Sequence, residues 1–278
     1  MPAGRRPLPL VQQLSRLGAV LAMVLIALNL ACDSGGSSTS SGGASGGGGA
    51  SKTDEGAGET SKAPVFGTGV VKGRILLEGD APAPTKIKMQ GDRFCTKHNM
   101  EHVAARYEVG ANNGLPHVFV YVKKGIDAKY PAPKESVTLD QTGCMYSPHI
   151  FGLMVGQTLK IKNNDNTAHN VNALTKKNQK FNISQPQAGM VKDVTFSKQE
   201  VMVKFKCDVH GWMDAYCGVL THPFFTVTDA DGHFTLDKLP AGKYTIEVWH
   251  EMYGTRTAEI EVADGETKEL DVTFKKRS

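Results

Sequence analysis

From Val65 onward the sequence predicts an all-β protein, and three features carry that prediction. Apolar and polar residues alternate in short runs, Gly, Pro, Asn and Asp cluster between the runs, and no stretch sustains a helical period. Val70 to Leu77 is a first strand, ended by Gly79, Pro82 and Pro84, and His117 to Val122 is a second. Residues 92 to 108 fit neither period and leave room for a helical turn. Leu159, Ile161 and Asn163 fall on one face of a strand, with Lys160 and Lys162 on the other. Val201, Val203, Phe205 and Cys207 share a face by the same period of two, so Cys207 is aimed at the core where the strand ends. Thr228 to Leu236 reads as strand, tight turn and strand, a hairpin signal in which Gly232 supplies the positive φ. Leu239-Pro240-Ala241-Gly242 turns into a strand reaching Val248. Ala258, Ile260 and Val262 then alternate with Glu259 and Glu261, and Leu270, Val272 and Phe274 with Asp271 and Thr273, as half-buried strands do.

The N-terminal quarter has no such pattern. Arg5, Arg6 and Arg16 precede an almost wholly apolar run over residues 17–31, and Ala31-Cys32 follows at once, the layout of a secretory signal. The run is short for a spanning helix, which needs about 20 residues. Residues 1–31 resemble a bacterial lipoprotein signal, which implies lipidation of Cys32 and attachment to a membrane of the cell envelope, facing the periplasm or exterior. An ordinary signal cut near Ala31 and an uncleaved anchor are the alternatives. Residues 32–63 are dominated by Gly, Ser, Thr and Ala and cannot bury enough apolar surface to offset chain entropy, so they read as a disordered tether with a root-mean-square span of roughly 30 Å. Without residues 1–31 the formal charge falls from +4 to +1, since 29 basic side chains face 28 acidic ones. No basic stripe with interleaved aromatics survives, and nucleic acid is not an expected partner.

The stretch Cys207-Asp208-Val209-His210-Gly211-Trp212-Met213 places a thiol, an imidazole and a thioether within seven residues. Asn163 to Val171 adds a second imidazole, His169, in an Asn-rich loop beyond a strand. A core-facing Cys is usually a small buried hydrophobe, and a lone His near it means little. Four ligands converging from two loops are different. Closed zinc sites favour Cys and His without thioether, whereas two His, one Cys and a weak Met suit an electron-transfer copper. Asp229-Ala230-Asp231-Gly232 lacks the further acids of a calcium loop.

These residues also carry a family resemblance. Tyr146-Ser147-Pro148, Val155-Gly156-Gln157-Thr158, the loop Asn163 to Val171 and Cys-x-x-His-x-x-Met together resemble the cupredoxins, the blue copper proteins of plastocyanin and amicyanin type. The resemblance implies that one copper ion is held by His169, Cys207 and His210 with Met213 as a long axial ligand, that Asn170 links the two ligand loops, and that the exposed ring edge of His210 passes electrons through a patch containing Gly211, Trp212 and Ala215. It implies an electron carrier between a donor and an acceptor protein, with no substrate transformed. Lys206 stands where copper nitrite reductases have His, and a binuclear centre would need a second Cys in the loop. Gly69-Val70-Val71-Lys72-Gly73, Thr228-Asp229-Ala230-Asp231-Gly232-His233-Phe234 and Leu239-Pro240-Ala241-Gly242-Lys243-Tyr244 resemble the carboxypeptidase-regulatory, or transthyretin-like, sandwich. The combination is similar to bacterial lipoproteins of methylamine-utilisation type. The expected architecture is a cupredoxin Greek-key sandwich over residues 134–222, inserted in or packed beside a transthyretin-like sandwich formed by residues 64–133 and 223–278.

With Cys32 and Cys207 assigned, Cys95, Cys144 and Cys217 remain. In an oxidising compartment they allow one bridge, for which Cys95 and Cys144 are preferred because both lie in polar, turn-like stretches, and Cys217 reads as a buried thiol. The other His residues have no metal-like spacing. Copper storage or delivery, and a non-redox surface interaction module, are the rival functions, since a sandwich fold alone fixes none.

Overall fold

The computed structural model describes residues 63–98 and 102–275. Residues 1–62, with Cys32 and almost all of the expected tether, lie outside the described residues. Strand β1 (Gly69–Glu78) is followed by a long connection containing helix α1 (Arg93–His98) and two single 3-10 turns (Ala105–Tyr107 and Ala111–Asn113) before β2 (Phe119–Lys124). Nine strands come next: β3 (Val137–Thr142), β4 (Met145–Ser147), β5 (Ile150–Met154), β6 (Thr158–Asn163), β7 (His169–Leu174), β8 (Phe181–Gln185), β9 (Val191–Thr195), β10 (Glu200–Lys206) and β11 (Asp214–Leu220). The chain ends in β12 (Phe225–Val227), β13 (His233–Leu239), β14 (Gly242–His250), β15 (Gly254–Val262), β16 (Thr267–Glu269) and β17 (Val272–Lys275).

Among the described residues the nine central strands pair only among themselves, in sheets ordered β4-β3-β6-β9 and β5-β11-β10-β7-β8. The flanking strands form two more sheets, β12-β2-β14-β15 and β13-β1-β16, with β17 continuing alongside β1. Thus the chain leaves one sandwich after β2, builds a second, and returns to the first at β12. The exit and re-entry points are adjacent, because β12 is the antiparallel neighbour of β2, with Phe225 opposite Tyr121 and Phe224 O accepting from Val122 N at 3.1 Å.

Each sandwich has its own apolar core. In the outer one, Val71, Ile75, Leu77, Val120, Val122, Phe234, Leu236, Ile246 and Val248 interdigitate between sheets. In the inner one, Leu139, Leu159, Ile161, Val171, Phe196, Val203 and Phe205 do so, with Phe151 stacked on Phe205 at 5.9 Å between centroids. A third cluster of Phe119, Tyr121, Ile150 and Leu220 joins β2 to the face of β5 and β11. Two glycines make that contact possible: a Cβ on Gly218 would stand 2.2 Å from the Phe119 ring, and one on Gly152 would stand 2.5 Å from Phe225.

Two strand expectations change. The run from Thr228 to Leu236 is not a hairpin, because β12 pairs with β2 while β13 pairs with β1; the Asp229–His233 turn carries the chain from one sheet to the other. Val201 does not share the core face of Val203 and Phe205. Met202 has φ 60° at a register shift in β10, and the bulge turns Val201 toward the cluster around Phe119.

Candidate metal centre

Strands β7 and β10 are antiparallel neighbours, with Asn172 opposite Lys206, so the start of β7 and the end of β10 meet at one end of the sheet. His169 opens β7 and Cys207 follows β10. The loop before His169 is folded by Asn163, a fully buried amide. Its Nδ2 donates to Thr167 O at 3.0 Å and Gln185 O at 2.9 Å, and its Oδ1 accepts from Asp165 N at 2.9 Å. Asp165 in turn accepts from Gly143 N at 2.8 Å, Cys144 N at 2.7 Å and His169 Nε2 at 2.9 Å. A carboxylate on the outer ring nitrogen leaves Nδ1 of His169 facing inward.

The second loop closes on itself. Cys207 N donates to Met213 O at 3.1 Å, and Met213 N to His210 O at 2.9 Å. His169, Cys207 and His210 come together, their ligand atoms all within 4.8 Å of one another. The two Nδ1 atoms face each other at 2.9 Å. Met213 is fully buried in the same apolar cluster as Cys207. Asn170 joins the loops: its Oδ1 accepts from Asp208 N at 2.8 Å and lies 3.3 Å from Cys207 Sγ, while its Nδ2 donates to Asn182 Oδ1 at 2.7 Å.

His210 is only 2% exposed, so it presents no ring edge to solvent. The connection between β1 and β2 covers it: Ile87, Met89, Phe94 and Cys95 pack into the inner core, and a disulfide joins Cys95 to Cys144. Asp92 Oδ2 accepts from Thr167 Oγ1 at 2.8 Å and lies 3.4 Å from His210 Nε2. Ala215 is also fully buried and belongs to no surface patch, whereas Gly211 is exposed and Trp212 half-buried. Trp212 lies over the His210 ring with centroids 5.0 Å apart, and its Nε1 donates to Cys144 O at 3.0 Å. Cys217 is a buried free thiol.

Protonation follows from these contacts. Burial alone would raise the Cys207 thiol, but the His169 imidazole and the amides of Asn170, His210 and Val209 outweigh it and hold the thiol below its ordinary value. Burial likewise opposes charge on His169, yet Asp165 and Cys207 bring its pKa up to about 9. His210 moves down, through burial and the neighbouring His169.

The residues fit a soft metal. Two inward imidazole nitrogens and a thiolate-favouring Cys face one buried point, and both outer nitrogens rest near carboxylates. Sequence reasoning missed those carboxylates. Asp165 stands four residues before His169, within reach of a local search; Asp92 is more than a hundred residues from His210 and nothing local marks it.

A second group, His149, Asp214 and Glu251, also escaped the sequence reading. His149 Nε2 is 2.7 Å from Glu251 Oε1 and its Nδ1 is 3.0 Å from Asp214 O, which links the inner sandwich to the turn after β14.

The C-terminal strands match the family model of the carboxypeptidase regulatory-like domain over residues 220–275. Among solved structures the chain is similar to a copper-containing nitrite reductase from Thermus scotoductus SA-01 (21% identity, 37% of this chain and 25% of that one, TM-score 0.29). It is also similar to a novel purple cupredoxin from Nitrosopumilus maritimus (22% identity, 30% and 97%, TM-score 0.26) and to a reduced mutant of amicyanin (19%, 30% and 81%, TM-score 0.27). The chain spans about a quarter of the nitrite reductase's length. No curated protein matches it.

Proposed function

We propose that this chain is an exported, membrane-tethered mononuclear copper protein that carries single electrons between a donor and an acceptor protein. The observation behind this reading is the convergence of His169, Cys207 and His210 at one buried point, with both Nδ1 atoms facing inward. Bound there with Met213 as a weak fourth ligand, copper would supply a one-electron couple. The chain's own residues do the remaining work. Asp165 and Asp92 orient the two imidazoles, and Asn170 holds the loop that carries Cys207. The core around Phe205 and Met213 excludes water. Trp212 is the half-buried ring in contact with a ligand imidazole, and it takes the port role that the buried His210 cannot fill. Lipidation of Cys32 and the Gly- and Ser-rich segment would keep the head near a membrane.

The deciding experiment adds copper to the purified full-length chain and records the visible spectrum. An intense thiolate-to-copper band, absent from Cys207→Ala, is the expected result. A colourless protein that prefers zinc would overturn the reading.

A further inference from the structure

The Cys95–Cys144 disulfide is not only a tie between the covering segment and the inner sandwich. Cys95 Sγ lies 3.6 Å from His210 Nε2, and the ligand atoms of Asp92, Cys95 and His210 lie within 4.8 Å of one another. The same holds for Cys144, Asp165 and His169. Each sulfur therefore lies within 4.8 Å of a ring nitrogen of one imidazole and of a carboxylate oxygen beside it. Both cysteines are fully buried. As a disulfide, neither sulfur can serve as a thiolate ligand, and the group is silent toward metals.

We propose that reduction of this disulfide creates a second metal site, in which the Cys95 and Cys144 thiolates bind one cuprous ion next to the His169–Cys207–His210 centre. Two thiolates make a donor pair that selects soft ions such as Cu(I), and Asp92 and Asp165 stand within ligand range of the same sulfurs. The electron source is a dithiol reductant. Its thiolate attacks one sulfur and its second thiol resolves the mixed disulfide, so the reductant leaves as its own disulfide and Cys95 and Cys144 each gain a hydrogen. Binding of Cu(I) then releases the two thiol protons to solvent. The chain would thus hold one copper in its disulfide form and two in its dithiol form.

The test is a titration of the metal-free, full-length chain with Cu(I) in the absence of oxygen, against a coloured competing chelator. Disulfide and dithiol forms are compared after the added reductant has been removed. The expected stoichiometry is one ion for the disulfide form and two for the dithiol form. Alkylating the reduced thiols, or the double change Cys95→Ser with Cys144→Ser, should remove the second ion. Circular dichroism of the double variant separates loss of a site from loss of the fold, and the wild-type comparison needs no substitution at all. Cys207→Ala should bind one ion only when reduced, so a failure of the inner centre and a failure of this site read out separately. Equal stoichiometry in the two wild-type forms would overturn the proposal, as would a second ion that persists in the folded double variant, which would assign it to another thiol such as Cys217.

Discussion

Asn170 and Trp212 perform separable tasks at the centre. The Asn170 carboxamide accepts the amides of Asp208 and Val209 just beyond the Cys207 thiol and donates to Asn182 and Asp208. Asn170→Ala leaves those loop amides without their acceptor, so we expect the metal-free protein to lose about 1–3 kcal/mol, measured by urea unfolding. Trp212 meets the centre through its ring, 5.0 Å from that of His210, and its Nε1 donates to Cys144 O. Trp212→Leu should slow electron exchange with a small outer-sphere oxidant several-fold while leaving the thiolate absorption band in place, and Trp212→Phe should restore most of the rate. An unchanged rate in Trp212→Leu would send the electron path elsewhere. The convergence of His169, Cys207 and His210 is readable because they crowd into two short loops. What surrounds them is not, because Asp92 and the cover over His210 arrive from the connection between β1 and β2, and no local pattern relates residue 92 to residue 210.

At the scale of elements, β5 and β11 meet β2 through glycine. Gly218 carries no positive φ; its lack of a side chain is what admits Phe119, whose ring would lie 2.2 Å from an added Cβ. Gly218→Ala should therefore cost about 1–3 kcal/mol through overpacking, visible as a lower thermal midpoint. Pairing it with Phe119→Leu should recover part of that loss, since the two positions share one contact and their effects cannot add. Strand existence was legible wherever two faces differ, as in β6, whose Leu159, Ile161 and Asn163 are buried while Lys160 and Lys162 are not. Pairing was less legible. The turn at Asp231-Gly232 has hairpin chemistry, yet it joins strands of different sheets, because turn residues specify a local reversal and not the partner that the next strand finds. The Met202 bulge likewise has no marker, since the period of two simply runs on through Val201 and Val203.

Across the whole molecule, the two sandwiches are held by the Phe119 cluster and by the ion pair of His149 with Glu251, whose side chains are only 11% and 6% exposed. Burial opposes the charge on both. Their mutual hydrogen bond prevails, with Asp214 helping to raise His149, while Glu251 is held below its ordinary value. For His149 the folded pKa exceeds the ordinary 6.5, so its contribution is complete below pH 6.5 and is lost as pH rises through the folded value. For Glu251 the folded pKa lies below the ordinary 4.5, so its contribution is complete above pH 4.5 and is lost as pH falls through the folded value. The pair therefore stabilises most between pH 4.5 and 6.5. His117, whose ring lies 5.9 Å from that of His149, has its Nε2 2.9 Å from Glu108 Oε2. Unfolding midpoints of the wild type and His149→Gln, followed from pH 5 to pH 9, should be widest apart at the acid end and converge toward the alkaline end. A gap independent of pH would mean that His149 joins the sandwiches by packing and neutral hydrogen bonds, with no charge on the ring.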